Sequence, residues 1–297
     1  MKINPLSYIY LSILFFSLNP ILTKYLLKSF PVFQLAAIRV FFISVIFFLI
    51  VCIDSNKFKF NKIGLFPFFL GIIEPGLNST IFVYVLTLID ASNVILLISM
   101  LPLTQAIFGK IFLYEKIDLS IIFGSCISFV GVGIYLYDSW IDISHSLVGN
   151  LIMLYMFIIL TTSQLLIRNR MKENINALHF TFVQFIGASL IVFILNVYSR
   201  ETIYNSLIID SQTILAVIFL CLSLGIPVLI NNFSLKFYTA SKLSLIYILV
   251  IPLGFIWSII FLNEKMTNLK VTGTIVVVIG VLSNNIKFKN KKFKLMI

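Results

Sequence analysis

Charge is scarce in this sequence, and acid is scarcest. Of 297 residues only 11 are Asp or Glu, and charged residues make up 11%. Soluble domains carry about 25% charged residues, so a solvated surface cannot be drawn around this chain. Histidine occurs twice and cysteine three times. Two His, with no carboxylate pair at catalytic spacing within a helix and no phosphate-cradling glycine loop, argue against an enzyme and against an ATP-driven pump. Cys52, Cys126 and Cys221 are far apart, inside or at the ends of apolar runs. They form no metal-ligand spacing and no disulfide framework, and read as small membrane-buried hydrophobes. No cofactor is expected.

What is present is apolar. Hydrophobic residues reach 60%, with 30 Phe, against about 45–50% in soluble proteins. The natural solvent for such a chain is lipid. A bilayer core about 30 Å thick needs about 20 apolar residues per helix, and polar breaks cut the sequence into ten runs: 6–27, 33–53, 63–88, 93–114, 119–137, 147–168, 177–199, 212–237, 242–263 and 269–286. No small-residue cleavage site follows the first run, which is therefore read as the first membrane helix and not a signal peptide. The third run is interrupted by Glu74-Pro75-Gly76 and the eighth by Gly225-Ile226-Pro227; Pro75 and Pro227 are the expected helix breaks.

The excess of cations, +11 in all, would elsewhere point to nucleic acid. Here the cations sit between apolar runs and in a tail, so they read as topology signals, and no nucleic-acid partner is expected. With the N-terminus cytoplasmic, that side holds Lys2, Lys57, Lys59, Lys62, Lys110, Lys116, Arg168, Arg170, Lys172, Lys236, Lys242 and the five lysines of the tail 287–297. The outer side holds Lys24, Lys28, Arg200, Lys265 and Lys270, and Arg39 lies within a helix. The bias is 16 to 5. It places both termini inside and supports an even helix count.

The chain also repeats itself. Leu86 leads to Ala91-Ser92, Pro102, Glu115, Gly124 and Gly131-Val132; Leu235 leads to Ala240-Ser241, Pro252, Glu264, Gly273 and Gly280-Val281. The offset is 149 residues, stretched by one at the prolines. Five helices per copy is an odd number, so the second copy enters the membrane upside down. Inverted repeats recur in secondary transporters, with the substrate site near the midplane between the halves. The Glu-Lys pairs 115–116 and 264–265 end the fourth and ninth runs and read as helix caps, with a gating role as the other reading. The glycines, seven apart, lie on one face of the fifth and tenth helices. They serve either tight packing or a homodimer contact.

This twice-repeated Ala-Ser … Pro … Glu-Lys … Gly … Gly-Val arrangement resembles the EamA-type repeat of the drug/metabolite transporter superfamily. The segment from Phe33-Gln34 to Arg39 also resembles that family's second helix. The resemblance implies an all-α integral membrane protein of ten transmembrane helices in two inverted five-helix repeats, 1–138 and 139–286, with 287–297 a basic cytoplasmic tail. It implies a central cavity and the export or exchange of amino acids and other metabolites across the cell's inner membrane. Gln184 stands where a rough alignment puts the second-half counterpart of Arg39, so the halves differ in charge.

Ionisable groups in hydrocarbon are costly and face protein or water. Arg39 and Glu74 are the two clear cases. Their depths from opposite faces bring them within reach of each other, either as an ion pair that fixes packing or as two walls of a cavity. Gly71, Glu74 and Asn78 share one helical face. Asn19, Gln105, Gln164, Gln184, Asn231 and Asn232 are the remaining polar candidates for the cavity. Of the two neighbouring Asn, about 100° apart on a helix, one is expected to face it. His179 is expected at the interface. Tyr84, Tyr247 and Trp257 form either an aromatic lining or a lipid-facing belt. The function expected is secondary transport of a small molecule by alternating access. The alternatives are an uptake or exchange carrier for a nucleotide-like or drug-like solute, and a channel or assembly protein.

Overall fold

A computed structural model describes residues 5–54, 63–114, 119–141, 145–199, 210–264 and 267–286. Lys2, Lys57, Lys59, Lys62, Glu115-Lys116, Arg200, Lys265 and the tail lysines lie outside the described residues. Among the described residues ten helical segments run in series: α1 Pro5–Leu26; α2 Val32–Ile53; α3 in the pieces Phe66–Gly71, Ile72–Leu77 and Asn78–Leu88; α4 in the pieces Ala91–Leu97, Ile98–Met100 and Leu101–Leu113; α5 Leu119–Ile141; α6 His145–Met171; α7 Ala177–Ser199; α8 Ser211–Ser234; α9 in the pieces Ala240–Tyr247 and Val250–Leu262; and α10 Asn268–Ile286. Among the described residues, eight spans are long and apolar enough to cross a membrane, and α5 and α10 carry the shorter apolar stretches Phe123–Tyr135 and Asn268–Gly280.

The packing follows the repeat. Equivalent helices meet as antiparallel pairs, α2 with α7, α4 with α9 and α5 with α10, while α1 on α8 is matched by α6 on α3. Even the caps repeat. Tyr114 and Asn263 end α4 and α9 in the left-handed conformation at φ 52, with their N–H groups donating to Gly109 O and Ser258 O. Left-handed backbone costs a bulky residue more than Asn, by about 1 kcal/mol. Tyr114, nearly fully exposed, is thus the strained copy. Tyr114→Asn is expected to raise the thermal midpoint of the detergent-solubilised protein by a few degrees; an unchanged or lower midpoint contradicts this.

Outward, Phe41, Phe42, Phe48, Leu49, Phe193 and Ile194 are exposed, an apolar surface that lipid satisfies and water does not. Cys52 and Cys126 lie on exposed positions too, and only Cys221 is buried. Inside, α5 and α10 come into backbone contact. A Cβ on Gly131 would press on Gly273 O and Val277, one on Gly273 on Gly131 O and Tyr135, and one on Gly280 on Gly124 O and Ser128. The glycine faces thus close on each other within one chain. Of the two readings of these glycines, this contact is the tight packing of α5 on α10.

Pro75 and Pro227 behave differently. At Glu74 the backbone leaves helical geometry (φ −134, ψ 112), the Glu74–Pro75 bond is cis, and the surrounding turn widens. At Pro227, α8 stays helical throughout, which corrects the second expected break. A proline inside a membrane helix is tolerated where neighbours cover the freed backbone. Gly225 serves close approach there, since a Cβ would overlap the Ile43 side chain of α2. The breaks absent from the sequence reading are in α4 and α9. Pro102 and Pro252 cannot donate to the carbonyls four residues earlier, Ile98 and Ile248, and the helices are interrupted there in both copies.

One charged cluster joins the end of α1 to the starts of α4 and α10. Lys24 Nζ, at the end of α1, donates to Ile89 O and to Asp90 Oδ1, both at 2.9 Å. Lys270 Nζ, at the start of α10, lies 3.5 Å from Asp90 Oδ2 and over the Tyr135 ring. Glu264, after α9, accepts from Ala91 N at 3.0 Å and Ser92 N at 3.2 Å, capping α4 across the repeat boundary. Partial burial alone would raise the Asp90 carboxyl; the hydrogen bond and charge of Lys24, with Lys270 behind, outweigh it and hold the group below its ordinary value. A depressed carboxylate contributes its stabilisation above its unfolded pKa of about 4 and loses it as pH falls further, so this cluster is intact at neutral pH.

Candidate functional site

Between the halves lies a cavity enclosing about 1160 Å³ of non-protein space, mouth included. Its polar wall is drawn from both repeats: Asn19 of α1, Arg39 of α2, Glu74 and Asn78 of α3, Gln105 of α4, Gln164 of α6, Gln184 of α7, Asn231 and Asn232 of α8, and Tyr247 of α9. Pro75 and Pro227 line it as well. Both Asn231 and Asn232 reach it, where one of the two was expected. Ser79 and Ser244 are polar liners that the sequence reading passed over. Small hydroxyl residues within apolar runs carry no signal by themselves.

Trp257 is not among the lining residues. Its Nε1 donates to Ser17 Oγ at 3.1 Å and its ring stacks on Phe261, so it joins α9 to α1. Tyr84 is exposed on the outer surface. Of the three aromatics only Tyr247 lines the cavity, its hydroxyl hydrogen-bonded to Ser12 Oγ of α1. His179 is buried at the start of α7, its Nε2 3.2 Å from Asp54 Oδ2 at the end of α2.

The break in α3 is held from outside. Gln184 Nε2 donates to the Glu74 carbonyl at 2.7 Å, and Asn232 Nδ2 donates to Gln184 Oε1 at 3.0 Å and Thr181 Oγ1 at 2.9 Å. Three helices thus share one amide chain, ending on the carbonyl that the irregular backbone exposes. The Glu74 carboxylate accepts from Asn78 Nδ2 one turn on. α7 comes this close because glycines face each other's helix: a Cβ on Gly71 would overlap the Gln184 carbonyl, and one on Gly187 the Phe68 carbonyl.

Arg39 is 2% exposed. Its Nη1 donates to Thr23 Oγ1 at 3.2 Å, and its guanidinium lies over the Phe82 ring at 5.2 Å. Thr23 in turn donates to Asn19 O, and Asn19 Nδ2 to Ser223 Oγ of α8. No ion pair joins Arg39 to Glu74 among the described residues; the two co-line one cavity, the second of the arrangements expected. Arg39 Nε, Asn78 Oδ1, Gln105 Oε1 and Asn232 Oδ1 are buried without a hydrogen-bond partner among the described residues. A polar atom left so costs about 1–3 kcal/mol. The wall thus carries one cation, one carboxylate and several amides.

No curated protein sequence matches this chain significantly. A solved structure titled only "Crystal structure of protein" superposes with a TM-score of 0.74 over 95% of this chain and 98% of that one, at 13% identity. That likeness shows a shared fold. The family model of the EamA-like transporter family matches twice, over residues 4–137 and 147–286, one match to each five-helix half. The chain is a multi-pass membrane protein and belongs to the EamA-like transporter family, within the drug/metabolite transporter superfamily.

Proposed function

We propose that this protein is a secondary transporter that exports or exchanges small metabolites, amino acids or related zwitterions among them, by alternating access across the inner membrane, with both termini in the cytoplasm. The observation that carries the reading is the cavity between the halves in which Arg39 and Glu74 stand on one wall without neutralising each other by direct contact. A solute carrying a carboxylate and an ammonium group can complete both. Interrupted helices support the same reading, because α3, α4 and α9 all break where they line the cavity, and discontinuous helices build transporter binding sites. The orientation rests on the 16-to-5 distribution of basic residues.

Glu74→Gln keeps the shape of the side chain and removes its charge. In proteoliposomes its rate is expected to fall at least tenfold, about 1.4 kcal/mol of lost interaction. A variant with the native rate, native pH dependence and native gradient coupling would sink the assignment of Glu74 to the transport site.

A further inference from the structure

The cavity has two kinds of wall. Its charged groups come from one set of helices: α2 carries Arg39, α3 carries Glu74, and α7, which packs on both, carries Gln184. The α6 side differs. Among the described residues α6 lines the cavity with Met153, Met156, Phe157, Leu160, Gln164 and Ile167. At 3.6 residues per turn all six fall within one arc of about 100°, so they form a continuous stripe along the helix. Only Gln164 among them is polar, and it accepts a hydrogen bond from Gln105 of α4. Thr104 Oγ1 and Thr161 Oγ1, 3.0 Å apart, hold α4 to α6 at the same side, where α4 adds Ile98 and Leu101 to the apolar lining.

The stripe stands level with the charged groups. The start of α6 meets the end of α3, since a Cβ on Gly149 would press on Leu88 and Ile89. From there α6 runs back along α3 as far as the piece Ile72–Leu77. Equal rise along the two helices sets Met156 beside Ile81 and Phe82, and Leu160 beside Leu77 and Asn78. Phe82 carries the Arg39 guanidinium over its ring, and Asn78 donates to the Glu74 carboxylate. Both therefore tie the level of the stripe to the level of the two charges.

We propose that this stripe is a side-chain subsite. The solute is a zwitterion whose carboxylate and ammonium groups lie at Arg39 and Glu74 and whose large apolar side chain lies along Met153, Met156, Phe157 and Leu160. The inference rests on the reading of the chain as a carrier of zwitterions, and it adds the side-chain class: branched aliphatic, thioether and aromatic groups ahead of small or polar ones. An apolar wall gains nothing from water or from a small polar solute, whereas each methylene buried against it tightens binding about fourfold. The two methionines are unbranched and polarisable and fit several shapes. The subsite therefore ranks side chains by apolar size and does not select a single one.

The test is a series of amino acids that share one headgroup: alanine, serine, leucine and phenylalanine. Each is measured twice on the full chain. In detergent, apparent affinity is read from the rise of the thermal midpoint with concentration. In proteoliposomes, each amino acid is followed by counterflow. Leucine and phenylalanine are expected to bind at least tenfold tighter than alanine or serine. Met156→Ser puts a hydroxyl on the stripe and is expected to lower the leucine-to-alanine ratio at least threefold; the native series decides even where that variant does not fold. Equal affinities across the series, serine ahead of leucine, no binding of any of the four, or a folded Met156→Ser protein with the native ratio overturns the subsite. Ranked binding without counterflow keeps the subsite and rejects the carrier reading; counterflow of all four with no ranking does the reverse.

Discussion

Gly187→Val is expected to lower the thermal midpoint of the detergent-solubilised protein by about 10 °C. At this crossing α7 meets the first piece of α3 backbone to backbone, and the two glycines make the contact reciprocal, Gly187 on the Phe68 carbonyl and Gly71 on the Gln184 carbonyl. A side chain at either position must push a carbonyl, and the carbonyl belongs to a helix. Overpacking of a rigid neighbour costs about 3 kcal/mol, which corresponds to a fall of about 10 °C in the thermal midpoint of a chain this size. The damage also reaches the site, because the same crossing sets Gln184 against the Glu74 carbonyl. Gly133→Val is the control, since a Cβ there meets nothing within 4 Å. Thermal unfolding with size-exclusion chromatography in detergent checks both. A Gly187→Val protein that is monodisperse with a native midpoint contradicts the close crossing.

Arg39→Gln is expected to fold and to lose transport of carboxylate-bearing solutes. Its guanidinium makes one hydrogen bond to Thr23 and faces Phe82, so few structural contacts depend on its charge. A hydrogen bond to a charged group contributes about 1.5–3 kcal/mol, or about 10- to 150-fold in the apparent affinity of such a solute. A solute without a carboxylate should lose far less. Arg39→Lys restores the charge but not the planar fork and should recover only part of the loss. Equal loss for solutes with and without a carboxylate would make Arg39 a structural residue.

Helix count and register were legible because hydrophobic length and the Pro, Glu and Gly landmarks are local properties of the sequence. The polar wall was legible for a related reason: an amide or charge inside an apolar run is expensive unless it faces a cavity, so Arg39, Glu74, Gln105 and Gln184 announced themselves. Trp257 did not follow, because a helix apolar all round gives no indication of which way any one aromatic turns. Proline was ambiguous. Pro75 breaks its helix, Pro227 does not, and Pro102 and Pro252, read only as landmarks of the repeat, disrupt the turns before them. The outcome depends on which neighbours cover the freed carbonyl, as Gln184 covers Glu74. The glycine spacing on α5 and α10 was informative about close packing and silent about the partner, which is the sister helix. The ionic cluster was out of reach, since Lys24, Asp90 and Lys270 are brought together only by the tertiary fold.

The central claim is that the cavity between the two halves carries a small zwitterionic solute. The most direct measurement is counterflow of labelled amino acids into proteoliposomes preloaded with unlabelled solute, for the native chain and Arg39→Gln. A carrier gives saturable uptake that transiently exceeds equilibrium, with the apparent affinity weakened at least tenfold in Arg39→Gln. Uptake that rises linearly with concentration, shows no exchange and is the same in both proteins would contradict the account.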